Sequence, residues 1–267
     1  MEQKLLLFDL DDTLLTSEKT ITADSVEAIK ACKARGMFIG YITARARPFK
    51  GEVFFPDKYN LPCDFIAYYN GAEICAGDTS STSIESNVIP YETAMKIIRG
   101  VTENYIFEYN SMTRIGIIHE PWSYSTYSGE NWNIKTGEKI KCDILELPRY
   151  DIQRIIIVFD NNNTIQLSDY MTEETIFFIH ADGSAMILHK NATKERALIK
   201  SSEWFNIPLS DIITFGDDVN DINMLKTAGI GVAMGNARDS VKEIADYITE
   251  TNDNEGISVW INKYLLT

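Results

Sequence analysis

The sequence lacks the features that mark secreted, membrane-spanning and zinc-binding proteins. It has four cysteines without a CxxC pair, and its three histidines have no ligand-like spacing, so neither a disulfide framework nor a zinc site is expected. No apolar stretch approaches the ~20 residues of a bilayer span. The short apolar run near the start leads into acidic residues, unlike a signal peptide. We therefore expect reduced thiols, a cytoplasmic location and no membrane partner.

Positive charge is also scarce. The chain has 25 Lys and Arg against 39 Asp and Glu, which gives a net charge of −14. Such a surface repels nucleic acid and anionic membranes at long range, so neither is expected as a partner. It also repels phosphate groups. A phosphate-binding site would therefore need its own positive charge, from a metal ion, a lysine or a helix N-terminus.

Apolar residues make up 45% of the chain, enough for a sizeable core in one large domain or two modest ones. In the first third, apolar runs that suit buried strands alternate with helical segments. The predicted strands are Leu5–Phe8, Met37–Ile42 and Phe65–Tyr69, one helix has Thr22 as its N-cap, and another has Pro48 in its first turn. This alternation is typical of an α/β fold with a parallel sheet.

An inserted module interrupts this pattern after a polar linker at residues 78–83. We assign residues 1–82 and 186–267 to the α/β core and residues 83–185 to an inserted α+β domain. In the insert we predict helices at Pro90–Val101 and near Asn163, and strands at Tyr105–Tyr109, Arg114–His119, Arg154–Phe159, Thr175–His180 and Ala185–Leu188. After it we predict helices at Lys194–Phe205, Val219–Thr227, Arg238–Ile244 and Ile257–Leu265, and strands at Ile212–Phe215, Gly229–Ala233 and Tyr247–Thr249.

Two aspartates, Asp9 and Asp11, follow the first predicted strand. Carboxylates two positions apart in a strand share a face and repel each other unless a cation or a proton lies between them. Asp9, at the strand end, is a candidate nucleophile, and Asp11 a candidate acid and base for a leaving group and for water. The alternative is an acidic turn in which Asp12 and Thr13 act as caps.

A second acidic cluster follows a later predicted strand. Three aspartates and an asparagine occur within residues 217–221, and carboxylate and amide oxygens are the ligands that Mg²⁺ prefers. The alternative is an ordinary helix start, where acidic residues are favoured. That alternative explains one or two acids better than it explains the whole cluster.

Thr43 and Lys194 are candidates for binding a phosphate group. Thr43 is a hydroxyl at the end of a predicted strand, although such a residue is often only a helix cap. Lys194 lies at a predicted helix start, where a cation is unfavourable to the helix dipole. An anionic partner would explain that placement, whereas the alternative is a solvated lysine.

Taken together, these motifs resemble the haloacid dehalogenase superfamily, and within it the Cof-like hydrolases that carry a large cap domain. The resemblance covers the whole chain and rests on six motifs in the expected order, with a gap of the right size for a cap. They are DLDDT at Asp9–Thr13, ITAR at Ile42–Arg45, NGA at Asn70–Ala72, Lys194 in NATKERAL, GDDVND at Gly216–Asp221 and AMGNA at Ala233–Ala237. The resemblance implies a Rossmann-like core with a cap that selects the substrate.

The resemblance also implies a role for each matching residue. Asp9 would be the nucleophile that forms an aspartyl-phosphate, and Asp11 the general acid and base. Thr43, Ala44 and Lys194 would hold the transferring phosphoryl group. Mg²⁺ would be bound by Asp9, by the backbone carbonyl of Asp11 and by Asp217, with Asn220 and Asp221 completing or supporting its shell. The expected substrate is a small phosphorylated metabolite such as a sugar phosphate; the oligomeric state stays open.

Two residues depart from the family pattern. Asp12 stands where a glycine usually follows the second aspartate, which adds a negative charge near the site and affects the turn. Ala44 stands where a glycine often separates the threonine from the arginine of the second motif. Neither change shifts the catalytic aspartates out of register.

Other functions share part of this residue pattern. A phosphomutase would return the phosphate to a reoriented sugar, and no sequence feature separates it cleanly. A signalling receiver lacks the second aspartate and the insert, a dehalogenase needs no metal, and a non-catalytic binding protein would not keep all the motifs. Aromatic residues of the insert are candidates for a sugar or nucleoside pocket, although core packing explains them more simply; they are Trp122, Tyr124, Tyr127 and Trp132.

Overall fold

The computed structural model describes residues 4–48, 55–77, 83–102, 114–119, 122–125, 138–141, 149–158, 167–179 and 184–267. The strands are β1 (Leu5–Phe8), β2 (Phe38–Ile42), β3 (Phe65–Tyr68), β4 (Glu73–Ala76), β5 (Ser83–Ser86), β6 (Arg114–His119), β7 (Trp122–Ser125), β8 (Glu138–Lys141), β9 (Arg154–Val158), β10 (Thr175–Ile179), β11 (Ala185–His189), β12 (Ile212–Gly216), β13 (Ile230–Ala233) and β14 (Tyr247–Ile248). The α-helices are α1 (Ala23–Ala34), α2 (Phe55–Lys58), α3 (Tyr91–Val101), α4 (Lys194–Phe205), α5 (Ile222–Thr227), α6 (Asp239–Lys242) and α7 (Gly256–Tyr264).

The chain divides into two compact units. We call one the core unit, which comprises Met1–Arg45, Glu52–Ser86 and Thr193–Thr267. The other, which we call the inserted unit, comprises Ala46–Gly51 and Asn87–Ala192. Each unit has its own sheet and its own cluster of buried apolar side chains.

The core unit is built on an eight-stranded sheet in the order β14-β13-β12-β1-β2-β3-β4-β5. The strands from β14 to β3 are parallel, and β4 and β5 add to the edge in antiparallel fashion. All four residues of β1 are fully buried, as a continuous apolar run requires in a sheet covered on both faces. Because β1, β2 and β12 are parallel neighbours, the residues that follow them meet at one edge of the sheet.

Two helices of the core unit, α1 and α4, begin at a threonine that caps them. The Thr22 hydroxyl accepts a hydrogen bond from the Ser25 backbone N–H at 3.3 Å, and Thr193 accepts one from Arg196 at 3.1 Å. Asn206 ends α4 in the left-handed conformation, with φ of 52°. These caps satisfy backbone groups that the helix itself leaves unpaired. None of the described helices has both the length and the apolarity of a membrane span.

The inserted unit has a six-stranded sheet in the order β10-β11-β9-β6-β7-β8. All its neighbouring strands are antiparallel apart from the pair β7 and β8. Helix α3 buries Ala94, Ile97 and Ile98 in one apolar cluster with Ile155 and Ile187 of the sheet. An apolar residue at every third or fourth position of α3 produces this buried face.

The predicted elements are largely confirmed where the structure describes them, but the unit boundaries differ from those expected. Residues 83–86 form β5 of the core sheet, because they pair with β4. Residues 185–189 form β11 of the other sheet, because they pair with β9 and β10. The boundaries therefore fall at 86/87 and 192/193, rather than at 82/83 and 185/186.

Some predictions differ from the structure or lie outside it. Pro48 lies in a coil segment rather than in the first turn of a helix, and the next described helix is α2. The strand predicted at Tyr105–Tyr109 and the helix predicted near Asn163 lie outside the described residues. The same holds for Cys142 and for the four aromatic side chains considered for a pocket.

Candidate active site

The segment after β1 turns sharply and separates the two aspartates of the first motif. Asp9 is extended and its N–H donates to the Phe215 carbonyl at 3.1 Å, as a last sheet bond. A wide turn follows, closed by a hydrogen bond from the Leu15 N–H to the Leu10 carbonyl at 2.8 Å. Asp9 is 5% exposed, whereas the Asp11 side chain is 40% exposed. The two carboxylates therefore do not share one environment as they would in a continuous strand.

Lys194, the first residue of α4, is only 2% exposed and joins two carboxylates. Its Nζ donates to Asp9 Oδ1 and to Asp221 Oδ1, at 2.6 Å in each case. Burial alone would lower the lysine pKa, but the charges of Asp221 and Asp9 outweigh it and raise that pKa. These two carboxylates explain why Lys194 lies at the start of a helix, where the helix dipole disfavours a positive charge.

Asp221 is fully buried and shapes the loop that follows β12. Its Oδ2 accepts hydrogen bonds from the backbone N–H groups of Asp217 and Asp218, both at 3.1 Å. A Cβ added at Gly216 would lie 2.6 Å from the Asp221 Cγ, so a glycine is needed where the loop folds back. Thr13 donates to Asp217 Oδ1 at 2.7 Å and thereby connects this loop to the segment after β1.

Three carboxylates form an acidic cluster. Asp9, Asp217 and Asp221 each offer an oxygen atom, and these atoms all lie within 4.8 Å of one another. Burial raises the pKa of Asp9 well above its ordinary value, and the charges of Asp221 and Asp217 raise it further against the opposing charge of Lys194. Burial and the charge of Asp221 raise the pKa of Asp217 to about 7, although Thr13 and Lys194 oppose the change. One lysine among three carboxylates leaves an excess of negative charge.

The donor set of this cluster fits a hard divalent cation. Carboxylate oxygens at close range repel one another unless a cation lies between them. Asn220, in the same loop, has a buried Oδ1 without a hydrogen-bond partner in the described part of the chain. A buried carbonyl oxygen of this kind is costly unless a hydrogen-bond donor or a cation binds it. Asp9, Asp217 and Asp221 are therefore the residues that would hold a metal ion, and the metal contacts predicted for Asn220 and for the Asp11 backbone carbonyl stay predictions.

Thr43 and Ala44 follow β2 at the same edge of the sheet. Thr43 is fully buried, and its N–H donates to the Ala67 carbonyl at 2.9 Å. Its hydroxyl oxygen accepts the Arg45 N–H at 3.0 Å, which leaves the hydroxyl hydrogen to donate to a ligand. Thr43 and Ala44 therefore lie at the edge of the sheet where Asp9 follows β1, and their phosphate-binding role stays a prediction.

Arg45 was not assigned a role from the sequence, yet it is the principal partner of Asp11. Its Nε and Nη2 donate to Asp11 Oδ2 and Oδ1 at 2.7 and 2.8 Å. Lys19 lies 3.3 Å from Asp11 and 2.9 Å from Asp12. Burial would raise the pKa of Asp11, but the hydrogen bonds and charges of Arg45 and Lys19 lower it. In the sequence, the signal for a functional role of Arg45 was its position in the ITAR motif, two residues after Thr43.

The expected site residues lie at one edge of the core sheet, in three connected groups. Asp9, Lys194, Asp217 and Asp221 form the buried group, with Asn220 in the same loop as the last two. Thr43 and Ala44 form the second group, and Arg45 joins them to the third, Asp11. Asp12 adopts the left-handed conformation, with φ of 59°, which explains why a glycine is usual there and why an aspartate fits.

Comparison with known proteins gives matches over nearly the whole chain. The sequence model of the haloacid dehalogenase-like hydrolases matches residues 6–261. A 5-amino-6-(5-phospho-D-ribitylamino)uracil phosphatase of Bacillus subtilis is 28% identical, over 99% of this chain and 99% of its own.

Solved structures show the same fold. A HAD-superfamily phosphatase from Bacteroides thetaiotaomicron has a TM-score of 0.83 at 24% identity, covering 100% of this chain and 96% of that one. A HAD subclass IIB sugar phosphatase has a TM-score of 0.82 at 24% identity, covering 99% of this chain and 100% of that one. Both therefore support the Rossmann-like α/β core with an inserted second sheet.

Proposed function

This chain belongs to the haloacid dehalogenase-like hydrolases and is an enzyme of the phosphatase kind, and we propose that it hydrolyses a small phosphorylated metabolite through an aspartyl-phosphate on Asp9. The observation that carries the proposal is the contact of Lys194 with a buried Asp9 inside a group of three carboxylates. A buried carboxylate with one cationic partner and neighbouring metal ligands is suited to attack a phosphorus atom.

In the first proposed step, Asp9 attacks the phosphorus and the bond to the ester oxygen breaks. Lys194 binds Asp9 Oδ1, which leaves Oδ2 to form the new bond. Thr43 and the Lys194 ammonium group hold the phosphoryl oxygens, and Asp11 gives its proton to the departing oxygen. A bound Mg²⁺ would be held by Asp9, the Asp11 backbone carbonyl and Asp217, with Asn220 and Asp221 completing or supporting its shell, and would offset the charge on the phosphoryl oxygens.

In the second proposed step, Asp11 takes a proton from water as the water oxygen attacks the same phosphorus. The bond to Asp9 then breaks, which releases inorganic phosphate and restores the carboxylate. Both steps use Asp11 in turn as an acid and as a base. Arg45 binds both oxygens of Asp11, which leaves one lone pair on each oxygen to exchange a proton with the leaving group or with water.

We propose a phosphorylated sugar or a related metabolite as the substrate, and the inserted unit as the part that selects it. Support for the substrate class comes from relatives named as a ribitylaminouracil phosphatase and a sugar phosphatase. Alanine substitution of Trp122 or Tyr124 is expected to raise KM for the true substrate. An unchanged KM in both variants would remove these aromatic residues from the pocket.

The experiment that tests the mechanism compares Asp9→Asn with wild type. Released phosphate is measured for an aryl phosphate and for a panel of phosphorylated metabolites, with Mg²⁺ and with EDTA. Asp9→Asn should abolish turnover, and EDTA should abolish it reversibly. The matched control is Asp239→Asn, an exposed aspartate at the start of α6, which should keep full activity.

A covalent intermediate gives the sharper readout. Wild-type enzyme is quenched with acid during turnover, digested and analysed by mass spectrometry. The peptide that contains Asp9 should carry a phosphate group. Near wild-type activity of Asp9→Asn, or phosphate on another residue, contradicts the nucleophile assignment.

A further inference from the structure

Two of the six sequence motifs have no part in the proposed reaction. The first, NGA, lies in the turn after β3, where Asn70 Oδ1 accepts a hydrogen bond from Asn220 Nδ2 at 3.3 Å. The second, AMGNA at Ala233–Ala237, follows β13 at the edge of the sheet where the expected site residues lie. Its asparagine, Asn236, reaches the turn that carries Asp11.

The backbone of the AMGNA motif is fixed between two segments of the core unit. The Met234 N–H donates to the Gly216 carbonyl and the Gly235 N–H to the Glu250 carbonyl, each at 3.0 Å. A Cβ added at Gly235 would lie 2.8 Å from the Thr251 backbone nitrogen, so a glycine permits this close approach of two backbones. The asparagine that follows therefore projects from a well-anchored backbone.

Both ends of the Asn236 amide have a partner. Its Nδ2 donates to the Asp12 backbone carbonyl at 2.7 Å, and its Oδ1 accepts the Asn252 N–H at 3.0 Å. Asn252 is buried, and its own Nδ2 donates to the Leu15 carbonyl at 2.9 Å. Because the Asn252 N–H occupies the acceptor end of the amide, the donor end faces the Asp12 carbonyl. Two asparagines therefore hold the turn after β1 at two of its carbonyl groups.

The Asp12 carbonyl is a sensitive point of this turn. Asp12 has φ of 59°, a conformation that is costly for a residue other than glycine and persists only where the surroundings hold it. The backbone of Asp11 lies between this carbonyl and that of Leu10, which accepts the Leu15 N–H. Loss of the Asn236 contact would let the Asp12 backbone relax and would shift Asp11 with it.

We propose that Asn236 is a positioning residue for Asp11: by holding the Asp12 carbonyl, it fixes the backbone that presents the Asp11 carboxyl group to the leaving group. The inference rests on the proposed function, in which Asp11 gives a proton to the departing oxygen. The placement of Asp11 matters because an acid has to lie within hydrogen-bond reach of the atom that it protonates. Arg45 binds the carboxylate, so the residue is held at both ends.

Two aryl phosphates with different leaving groups test this role in the full chain. 2,4-Dinitrophenolate departs without a proton, whereas phenolate is a much stronger base and needs a proton from the acid. The value of kcat/KM includes the step in which the leaving group departs, so the ratio of kcat/KM for 2,4-dinitrophenyl phosphate to that for phenyl phosphate reports the acid. A general loss of structure lowers both values equally and leaves the ratio unchanged.

Asn236→Ala is expected to raise this ratio about tenfold, because a misplaced acid gives only part of the roughly 100-fold or more that a well-placed one supplies. Asn236→Asp keeps an acceptor for the Asn252 N–H but removes the donor to the Asp12 carbonyl, so it should raise the ratio as Asn236→Ala does. Asp11→Asn removes the acid and should raise the ratio about 100-fold or more. The matched control is Asn262→Ala, at an exposed asparagine of α7, which should give the wild-type ratio.

The outcomes distinguish this inference from the proposal on which it rests. A wild-type ratio in Asp11→Asn overturns Asp11 as the acid and the inference with it, as does a wild-type chain that hydrolyses neither ester. A raised ratio in Asp11→Asn with a wild-type ratio in Asn236→Ala overturns the positioning role alone. A ratio that rises in Asn236→Ala but not in Asn236→Asp also overturns it, because the contact with Asp12 would then not carry the effect.

Discussion

Arg45 binds Asp11 through two parallel hydrogen bonds, Nε to Oδ2 at 2.7 Å and Nη2 to Oδ1 at 2.8 Å. A bidentate pair of this kind is among the stronger side-chain interactions in proteins. It favours the ionised carboxylate, whereas the proposed acid has to carry a proton in the first step. In the proposed mechanism, a proton on Asp11 therefore has to compete with the two hydrogen bonds from Arg45.

The first prediction concerns the pH dependence of turnover in Arg45→Ala. Removing the guanidinium group takes away the hydrogen bonds and the charge by which Arg45 lowers the pKa of Asp11, and Lys19 alone then opposes burial, so this pKa should rise. The protonated form then persists to higher pH, so the limbs of the kcat profile that report Asp11 should move to higher pH. Initial rates with an aryl phosphate from pH 5 to 9 check this. Arg149→Ala, at an exposed arginine, is the control, and an unshifted profile in Arg45→Ala would contradict the prediction.

The second prediction concerns the stability of Lys194→Met. Removing the ammonium group leaves Asp9 and Asp221 buried without their cation, which typically costs about 3–5 kcal/mol. The loss should be smaller at pH 5 than at pH 8, because Asp9, whose pKa burial raises well above its ordinary value, can then take up a proton. Urea unfolding at both pH values measures it. Lys226→Met, at an exposed lysine of α5, should change little, and an equal loss at both pH values would count against the charge argument.

The third prediction concerns Asp217 in the metal-free protein. Its folded pKa of about 7 exceeds the ordinary value near 3.9, so the folded state binds more protons than the unfolded state between those values. This group therefore lowers the free energy of unfolding as pH rises through that window. Asp217→Asn removes the effect.

The measurement for Asp217 is a Tm series in EDTA from pH 5 to 8. Asp217→Asn should be the more stable protein, and its Tm advantage over wild type should be larger at pH 8 than at pH 5. Mg²⁺ binding to wild type should strengthen with pH over the same window, because the ion displaces the proton. A Tm difference that does not vary with pH would refute the assigned pKa.

The fourth prediction isolates the backbone conformation of Asp12. Asp12→Gly and Asp12→Ala both remove the ion pair with Lys19, but only alanine is strained at a φ of 59°. Asp12→Ala should therefore be less stable than Asp12→Gly by about 1 kcal/mol. Chemical denaturation of the two variants gives the difference directly. Equal stability would mean that the turn relaxes when the side chain is lost.

The core unit was largely predictable because its signals are local. A run of apolar residues predicts β1, and Thr22 and Thr193 cap the helices that follow them. Parallel strands predict that Asp9, Thr43 and Asp217 lie at one edge of a sheet. Strand β5 was missed because its four residues are mostly polar and become a strand only by pairing with β4.

The charge pairing within the site was less predictable. Arg45 and Asp11 are 34 positions apart, and no spacing rule connects them. Lys194 was recognised as unusual because a cation opposes the dipole at a helix start, but its two carboxylate partners become visible only in three dimensions. The amide pair Asn70 and Asn220 is 150 positions apart and follows from the packing of the β3 turn.

Strand β1 lies between β2 and β12, and Leu5 is paired with Ile212 on one side. On a ribosome that adds roughly 5–20 residues per second, β1 emerges about 10 seconds or more before its later neighbour exists. A nascent chain therefore contains an apolar strand with one unpaired hydrogen-bonding edge. Next to this strand is Asp9, whose partner Lys194 has not yet been synthesised. Truncated products of this gene should consequently depend on holding chaperones, since the final third of the polypeptide closes the centre of its sheet.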